Sequence, residues 1–296
     1  MINTAASHLK RKNVMKKILT IQDISCVGKC SLTTALPIIS AMGIETAVIP
    51  TAVLSTHTAF QGFTFRDLTG DIPGILDHWK KEDFTFSAVY SGYLGSAEQI
   101  QLVRRAWQEL GSPASIKIVD PAMADHGKLY AGFTEAFAAQ MASLCGQADI
   151  ILPNLTEGCL MTGHKYREDG DEAYYKTLLR KLADLGAGTV IMTGVSLREG
   201  KLGAMTYNKA ADSFSFYDND KLPVSFHGTG DIFASCVTGA VVLGSPAEEA
   251  ASIAVDYTLE CMRETMKDPD YSWYGVNFES ALPWLTDRVR SLPSRS

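Results

Sequence analysis

One stretch of this 296-residue chain says most about its architecture: Phe226-His227-Gly228-Thr229-Gly230-Asp231-Ile232-Phe233-Ala234-Ser235. Its two glycines stand at the start of a run of small and apolar residues, which predicts a buried helix from about Gly230 to Leu243. The free N–H groups of a first helical turn, with the positive end of the helix dipole, form a site for anions. We therefore interpret Gly228, Thr229 and Gly230 as an anion hole.

The carboxylate of Asp231 falls on the first turn of this predicted helix. There it is placed to accept the proton of a hydroxyl that attacks the terminal phosphate of a nucleotide. Aspartate is also favoured at helix starts as a simple cap, and a lone Gly-x-Gly-Asp leaves that alternative open. Other segments have to decide between a catalytic base and a cap.

Outward from this stretch, short β-rich runs alternate with helical stretches from Lys17 onward. This alternation is typical of crossover units that build a mostly parallel sheet covered on both faces, and it predicts an α/β fold. The predicted strands are residues 17–22, 45–50, 88–91, 116–120, 149–153 and 189–193, with a hairpin through 203–207 and 213–217. The predicted helices are residues 29–42, 96–110, 172–185 and 230–243.

Composition restricts the class of protein. With 46% apolar and 20% charged residues, the chain has enough apolar material for a large core in one domain, predicted over residues 15–296 after a polar lead-in over residues 1–14. The net charge of −6 disfavours nucleic acid as a partner. Six cysteines without zinc spacing suggest reduced thiols, and no apolar run approaches the roughly 20 residues of a membrane span. We expect a cytoplasmic protein without membrane or nucleic-acid partners.

Residues 228–231 resemble the C-terminal signature of the ribokinase superfamily, and several upstream segments resemble its pyridoxal (vitamin B6) kinase branch. Three segments match, in order, those that surround the pyridine ring in that branch: residues 21–28, 51–58 and 91–95. Two further runs are similar to the family elements that serve metal and phosphates: Asp120-Pro121-Ala122-Met123-Ala124-Asp125 and Pro153-Asn154-Leu155-Thr156-Glu157. The resemblance implies a ribokinase-like three-layer α/β/α sandwich.

The same resemblance implies transfer of the γ-phosphoryl group of ATP to the 5′-hydroxymethyl group of pyridoxal, pyridoxine or pyridoxamine. It implies Mg²⁺ with ATP, a monovalent cation and a homodimer. The implied substrate-binding residues are Asp23, His57, Thr58, Tyr93 and Asp231, the last also being the catalytic base. The implied ATP-binding residues are Asp120, Asn154, Glu157 and Thr193, and the implied metal-binding residues are Asp120, Asp125 and Glu157, in part through water.

The residues alone support these roles less strongly. Asn154 and Glu157 are three apart at a strand-to-helix junction, so they suit either Mg²⁺ or a helix cap. His57 is either a hydrogen-bond donor to the substrate or a loop contact satisfied by backbone. Tyr93 either stacks on a flat substrate or packs in the core, and Thr193 either meets phosphate or fills a strand end.

Asp23 departs from the family pattern, in which many B6 kinases carry serine after Ile-Gln. A buried carboxylate needs a partner, so we expect Asp23 to pair with a cationic part of the substrate, either the ring nitrogen or the aminomethyl group of pyridoxamine.

Three other functions stay open. Hydroxymethylpyrimidine kinase acts on a similar ring, a ribokinase-like sugar kinase would need a more polar acceptor pocket, and a binding protein would hold a vitamer without turnover.

Overall fold

The computed structural model describes residues 15–292, so the predicted lead-in over residues 1–14 lies outside the described residues. The described strands are β1 (Lys17–Val27), β2 (Glu45–Thr56), β3 (Phe65–Asp67), β4 (Phe86–Ser91), β5 (Gly111–Val119), β6 (Ala124–Asp125), β7 (Lys128–Leu129), β8 (Ile150–Ile151), β9 (Thr189–Val195), β10 (Lys201–Asn208) and β11 (Ser213–Asp220). The described helices are α1 (Leu32–Ala41), α2 (Ile72–Lys81), α3 (Ala97–Leu110), α4 (Glu135–Cys145), α5 (Leu155–Thr162), α6 (Glu172–Asp184), α7 (Thr229–Val242), α8 (Ala247–Lys267) and α9 (Phe278–Arg290).

A nine-stranded sheet runs through the middle of the structure in the order β11-β10-β9-β8-β5-β4-β1-β2-β3. Its central pairs are parallel, from β2 through β1, β4, β5 and β8 to β9. The two edges are antiparallel, where β3 pairs with β2 and the hairpin β10–β11 follows β9. Both the parallel sheet and the hairpin were predicted from the sequence.

The central strands bury side chains on both faces of the sheet. Neighbours such as Ile18 and Leu19 are fully buried but belong to two different core clusters, because successive side chains of a strand point to opposite faces. Helices α2 to α6 pack in one cluster, and α1, α7, α8 and α9 pack in the other. The predicted three-layer α/β/α sandwich is confirmed.

The segment between β1 and α1 differs from its prediction. Strand β1 continues to Val27, and α1 begins at Leu32 rather than at Lys29. Between them Lys29 and Ser31 have positive φ angles of 50° and 49°, which neither a strand nor a helix allows. The sequence pattern gave no sign of this turn, yet it lies directly against the start of α7.

None of the six cysteines, all of which lie within the described residues, forms a disulfide. No helix within residues 15–292 has both the length and the apolar character that crossing a membrane requires.

Candidate active site

The residues singled out by the sequence collect at the carboxyl edge of the parallel sheet. In open α/β sheets ligands bind at this edge, because crossover connections leave a crevice there. Asp23 lies in the second half of β1, Tyr93 follows β4, and Asp120 follows β5. Asn154 precedes α5, Thr193 lies in β9, and Asp231 lies on the first turn of α7.

The start of α7 has the geometry of an anion-binding turn. Gly228 caps the helix with a φ angle of 83° and, having no side chain, leaves the N–H groups of the first turn without a cap hydrogen bond. A Cβ atom at Gly228 would lie 2.2 Å from the backbone oxygen of Lys29, so only glycine fits. At Gly230, by contrast, a Cβ atom would meet no atom within 4 Å. The space in front of this turn is open for a ligand.

Asp231 lies on the same turn and has a carboxylate with a raised pKa. Desolvation raises its pKa to about 7, and the nearby charge of Asp23 acts in the same direction. Backbone hydrogen bonds at Ser31 and at Asp231 itself oppose the rise. A carboxylate with such a pKa can accept a proton from a hydroxyl near pH 7.

Three further carboxylates lie in the same region. Desolvation raises the pKa of Asp120 well above its usual value, and the charges of Glu157 and Asp231 add to this rise. Desolvation also raises the pKa of Glu157 to about 7, and it raises the pKa of Asp23. Within residues 15–292, no lysine or arginine forms an ion pair with any of the four carboxylates. This excess of buried negative charge suits a cation bound with the ligand.

Glu157 and Asn154 form a capping box at the start of α5. The side chain of Asn154 accepts from the N–H of Glu157 at 3.0 Å, and Glu157 Oε2 accepts from the N–H of Asn154 at 3.0 Å. Glu157 Oε1 accepts from the N–H of Met123 at 2.9 Å. The structure therefore shows the predicted helix cap. Because both oxygens of the Glu157 carboxylate already accept backbone N–H groups, a metal contact of Glu157 through water is favoured.

The other predicted metal and phosphate residues surround this capping box. Asn154 Nδ2 donates to the carbonyl of Ala124 at 2.7 Å, and the backbone of Asn154 forms a parallel bridge with Thr193. Asp125 is exposed, and its carboxylate accepts from the N–H of His126 at 2.7 Å. Within the described part of the chain, no three side chains of His, Cys, Asp or Glu converge to hold a metal ion by themselves.

The predicted substrate side of the site lies around Asp23. This side chain is 4% exposed, and its carboxylate accepts hydrogen bonds from the hydroxyls of Ser25, at 3.0 Å, and Ser31. Burial raises the pKa of Tyr93, and the charge of Asp23 raises it further, so the two groups lie near each other. The half-buried ring of Tyr93 packs against Phe133, with ring centroids 5.4 Å apart.

His57 does not offer a free ring edge to a substrate. The N–H of Ala59 donates to its Nδ1 at 3.1 Å, and its Nε2 lies 2.9 Å from the carbonyl oxygen of Tyr274. The structure therefore shows His57 as a loop residue whose two ring nitrogens both have backbone partners. A substrate contact of His57 stays a prediction and would have to use the ring face, while Thr58 is exposed in the same loop.

The sequence missed several residues at this edge. The backbone of Ser31 hydrogen-bonds Asp231 while its hydroxyl hydrogen-bonds Asp23, so it links the two carboxylates. Trp273 and Tyr274 approach from the loop between α8 and α9. Neither Ser31 nor the pair Trp273 and Tyr274 belongs to a sequence motif. These residues reach the site only through contacts between distant parts of the chain.

A model of the family described as phosphomethylpyrimidine kinase matches residues 39–271 of this sequence. The match includes the anion-binding turn and Asp231 and covers most of the chain. The chain belongs to the phosphomethylpyrimidine kinase family.

Solved structures and a curated relative agree with this placement. A putative phosphomethylpyrimidine kinase from Bacteroides thetaiotaomicron, crystallised with pyridoxal, is 36% identical, with a TM-score of 0.87 over 92% of this chain and 96% of that chain. Pyridoxal kinase from Lactobacillus plantarum is 30% identical, with a TM-score of 0.84 over 92% and 97%. A hydroxymethylpyrimidine/phosphomethylpyrimidine kinase from Rhizobium meliloti is 27% identical over 81% of this chain and 87% of that protein. The resemblance to B6 kinases of the ribokinase-like superfamily is confirmed.

Proposed function

We propose that this protein is a pyridoxal kinase, which transfers the γ-phosphoryl group of ATP to the 5′-hydroxymethyl group of a B6 vitamer. One observation carries the proposal: Asp231, with a pKa raised to about 7, lies on the uncapped first turn of α7, beside open space. The Bacteroides relative bound to pyridoxal supports this acceptor.

Asp231 is the proposed base in an in-line transfer. Its carboxylate takes the proton of the acceptor hydroxyl as the oxygen attacks the γ-phosphorus. The N–H groups of the turn from Gly228 to Gly230 hold the negative charge that builds on the transferring group. We assign the acceptor side to Asp23, His57, Thr58 and Tyr93, and the phosphate side to Asp120, Asn154, Glu157 and Thr193.

Mg²⁺ fits the phosphate side. The pKa values of Asp120 and Glu157 are raised, and neither carboxylate has an ion-pair partner in the described part of the chain, so a bound cation would stabilise their negative charge. Asp120, Asp125 and Glu157 would hold the ion largely through waters, as Mg²⁺ prefers. Such an ion would neutralise charge on the phosphates of ATP.

Other parts of the proposal are supported by the resemblance and by composition. They are a homodimer, a cytoplasmic location, and a single kinase domain over residues 15–296.

Hydroxymethylpyrimidine kinase is the second candidate, supported by the Rhizobium relative. An ADP-release assay with Mg-ATP and each of pyridoxal, pyridoxine, pyridoxamine and hydroxymethylpyrimidine separates the candidates. We expect turnover with at least one B6 vitamer at higher kcat/KM than with hydroxymethylpyrimidine. The reverse order would favour the second candidate, and vitamer binding without ADP release would show a binding protein.

A further inference from the structure

A cluster of aromatic rings closes one side of the candidate site. It joins the loop after β2 to the loop between α8 and α9. The ring of Phe60 lies 4.5 Å from that of Trp273 and 5.6 Å from that of Tyr274. The rings of His57 and His227 lie 6.0 Å and 6.4 Å from Trp273, both edge-on. Because His227 directly precedes Gly228, the cluster borders the anion-binding turn.

Hydrogen bonds fix His57 within this cluster. Its Nδ1 accepts from the N–H of Ala59, so the proton of the neutral ring sits on Nε2 and is donated to the carbonyl of Tyr274. The ring also packs on Gly28, where a Cβ atom would lie 2.6 Å from His57 Cδ2. The loop after β2 is therefore held from one side by β1 and from the other by the backbone at Tyr274.

The segment that holds this loop is itself fixed to the anion-binding turn through Lys29. The ammonium group of Lys29 donates to Asn277 at 2.8 Å and to Glu279 at 3.0 Å, and Gly275 packs on its Cβ atom. The backbone oxygen of Lys29 is the atom that excludes a side chain at Gly228. Lys29 thus connects residues 271–277 to the anion-binding turn at Gly228.

We propose that residues 271–277, here called the aromatic clamp, are a positioning element of the acceptor site. Trp273 and the carbonyl of Tyr274 hold the loop with His57 and Phe60 in place, so the loop forms a fixed wall for the acceptor ring. The proposal rests on the proposed function. Almost all of the clamp lies beyond residue 271, where the family match ends, and none of the motifs assigns it a role.

The exposure of Trp273 is consistent with this role. The residue is 55% exposed, although its ring contacts four other rings. Core packing alone would bury such a large ring, whereas a ring beside a binding site keeps a free surface for a flat ligand.

The test replaces Trp273 with alanine and with phenylalanine in the full chain. We expect Trp273→Ala to raise the KM for the vitamer about tenfold, a size consistent with the loss of aromatic ring contacts, and to leave the KM for ATP within about twofold. Trp273→Phe should restore most of the vitamer KM. A vitamer KM unchanged in Trp273→Ala, or equal losses for vitamer and ATP, would overturn the proposal.

Phe84→Ala is the matched control. Phe84 is 44% exposed and packs edge-on against Trp79 at the opposite edge of the sheet. Both KM values should stay at wild-type levels in this variant.

A binding measurement separates failure of the clamp from failure of the proposed function. Pyridoxal titrated without ATP should quench tryptophan emission, after correction for its absorbance, and Trp273→Phe should remove most of the quenching. Quenching that survives in Trp273→Phe overturns the clamp, whatever the turnover. Absence of phosphorylation in wild type, with quenching intact, overturns only the kinase activity.

Discussion

At the scale of single residues, Asp231 is distinguished from an ordinary helix cap by the environment of its carboxylate. A cap at a surface helix keeps its charge easily, because water and the first-turn N–H groups stabilise it. Asp231 instead lies near Asp23 and Asp120, with no cation paired to it among the described residues, and its pKa rises to about 7. Such an arrangement costs stability, which is typical of functional carboxylates.

Asp231→Asn should therefore stabilise the protein at alkaline pH. Because the carboxyl pKa is about 7 in the folded state and 3.8 as the unperturbed reference, the folded state binds more protons between these values. The contribution of this group to the free energy of unfolding of the wild type therefore decreases as the pH rises from about 3.8 to about 7. We expect the advantage of Asn over Asp to be larger at pH 8 than at pH 5 by about 1–2 kcal/mol, and to vanish only as the pH falls to about 3.8.

Urea unfolding of both proteins at pH 5 and pH 8 measures this difference. An equal difference at the two pH values, or a less stable Asn variant at pH 8, would show that Asp231 has an ordinary pKa.

Asp23 should set the preference among vitamers. Its buried carboxylate accepts hydrogen bonds from the hydroxyls of Ser25 and Ser31 and from its own backbone, but it has no lysine or arginine partner within residues 15–292, so a cationic aminomethyl group would gain a charged hydrogen bond. In Asp23→Ser we expect the ratio of kcat/KM for pyridoxamine to that for pyridoxal to fall about tenfold. Ser25→Ala, which keeps the carboxylate, should preserve the ratio. An unchanged ratio in Asp23→Ser would remove the charge pairing.

At the scale of elements, the two glycines at the start of α7 have different tasks. Gly228 is required by the backbone, because its φ angle is 83° and a side chain would strike Lys29. Gly230 has helical backbone and open space beside it, so folding does not require glycine there. The space next to Gly230 is where we place the transferring phosphoryl group.

Gly230→Ala should fold and Gly228→Ala should not fold well. Alanine in a helix is favoured over glycine by about 1 kcal/mol, so thermal unfolding of Gly230→Ala should occur at or above the wild-type temperature. Its kcat should still fall at least tenfold, because the new methyl group intrudes on the phosphoryl site. Gly228→Ala should unfold several degrees lower. Full activity of Gly230→Ala would place the phosphoryl group elsewhere.

The elements also show where sequence patterns suffice. Continuous apolar runs predicted the central strands, because each strand is buried on both faces and leaves a strong local signal. The spacing of Asn154 and Glu157 indicated a cap or a ligand pair, and the structure shows the cap. The turn at Lys29 and Ser31 could not be predicted, since its left-handed backbone falls on residues other than glycine, which leave no signal for it in the sequence. The aromatic clamp was missed for a similar reason, because Phe60 and Trp273 meet only in the fold.

At the scale of the whole molecule, the carboxyl edge of the sheet gathers negative charge that ligand binding should relieve. ADP with Mg²⁺ should therefore raise the unfolding temperature more than ADP with EDTA, since the ion stabilises Asp120 and Glu157. In Asp120→Asn the extra stabilisation from Mg²⁺ should shrink. Thermal unfolding under the two conditions provides the comparison, and equal shifts with Mg²⁺ and with EDTA would contradict a metal at this edge.

The most direct test of the kinase chemistry is steady-state turnover of Asp231→Asn with Mg-ATP and pyridoxal. Asparagine keeps the shape of the side chain but cannot take a proton from the acceptor hydroxyl. We predict that kcat falls at least about a hundredfold while the KM for ATP stays within about threefold, as expected for loss of a general base. Turnover close to that of the wild type would contradict Asp231 as the base and, with it, the proposed mechanism.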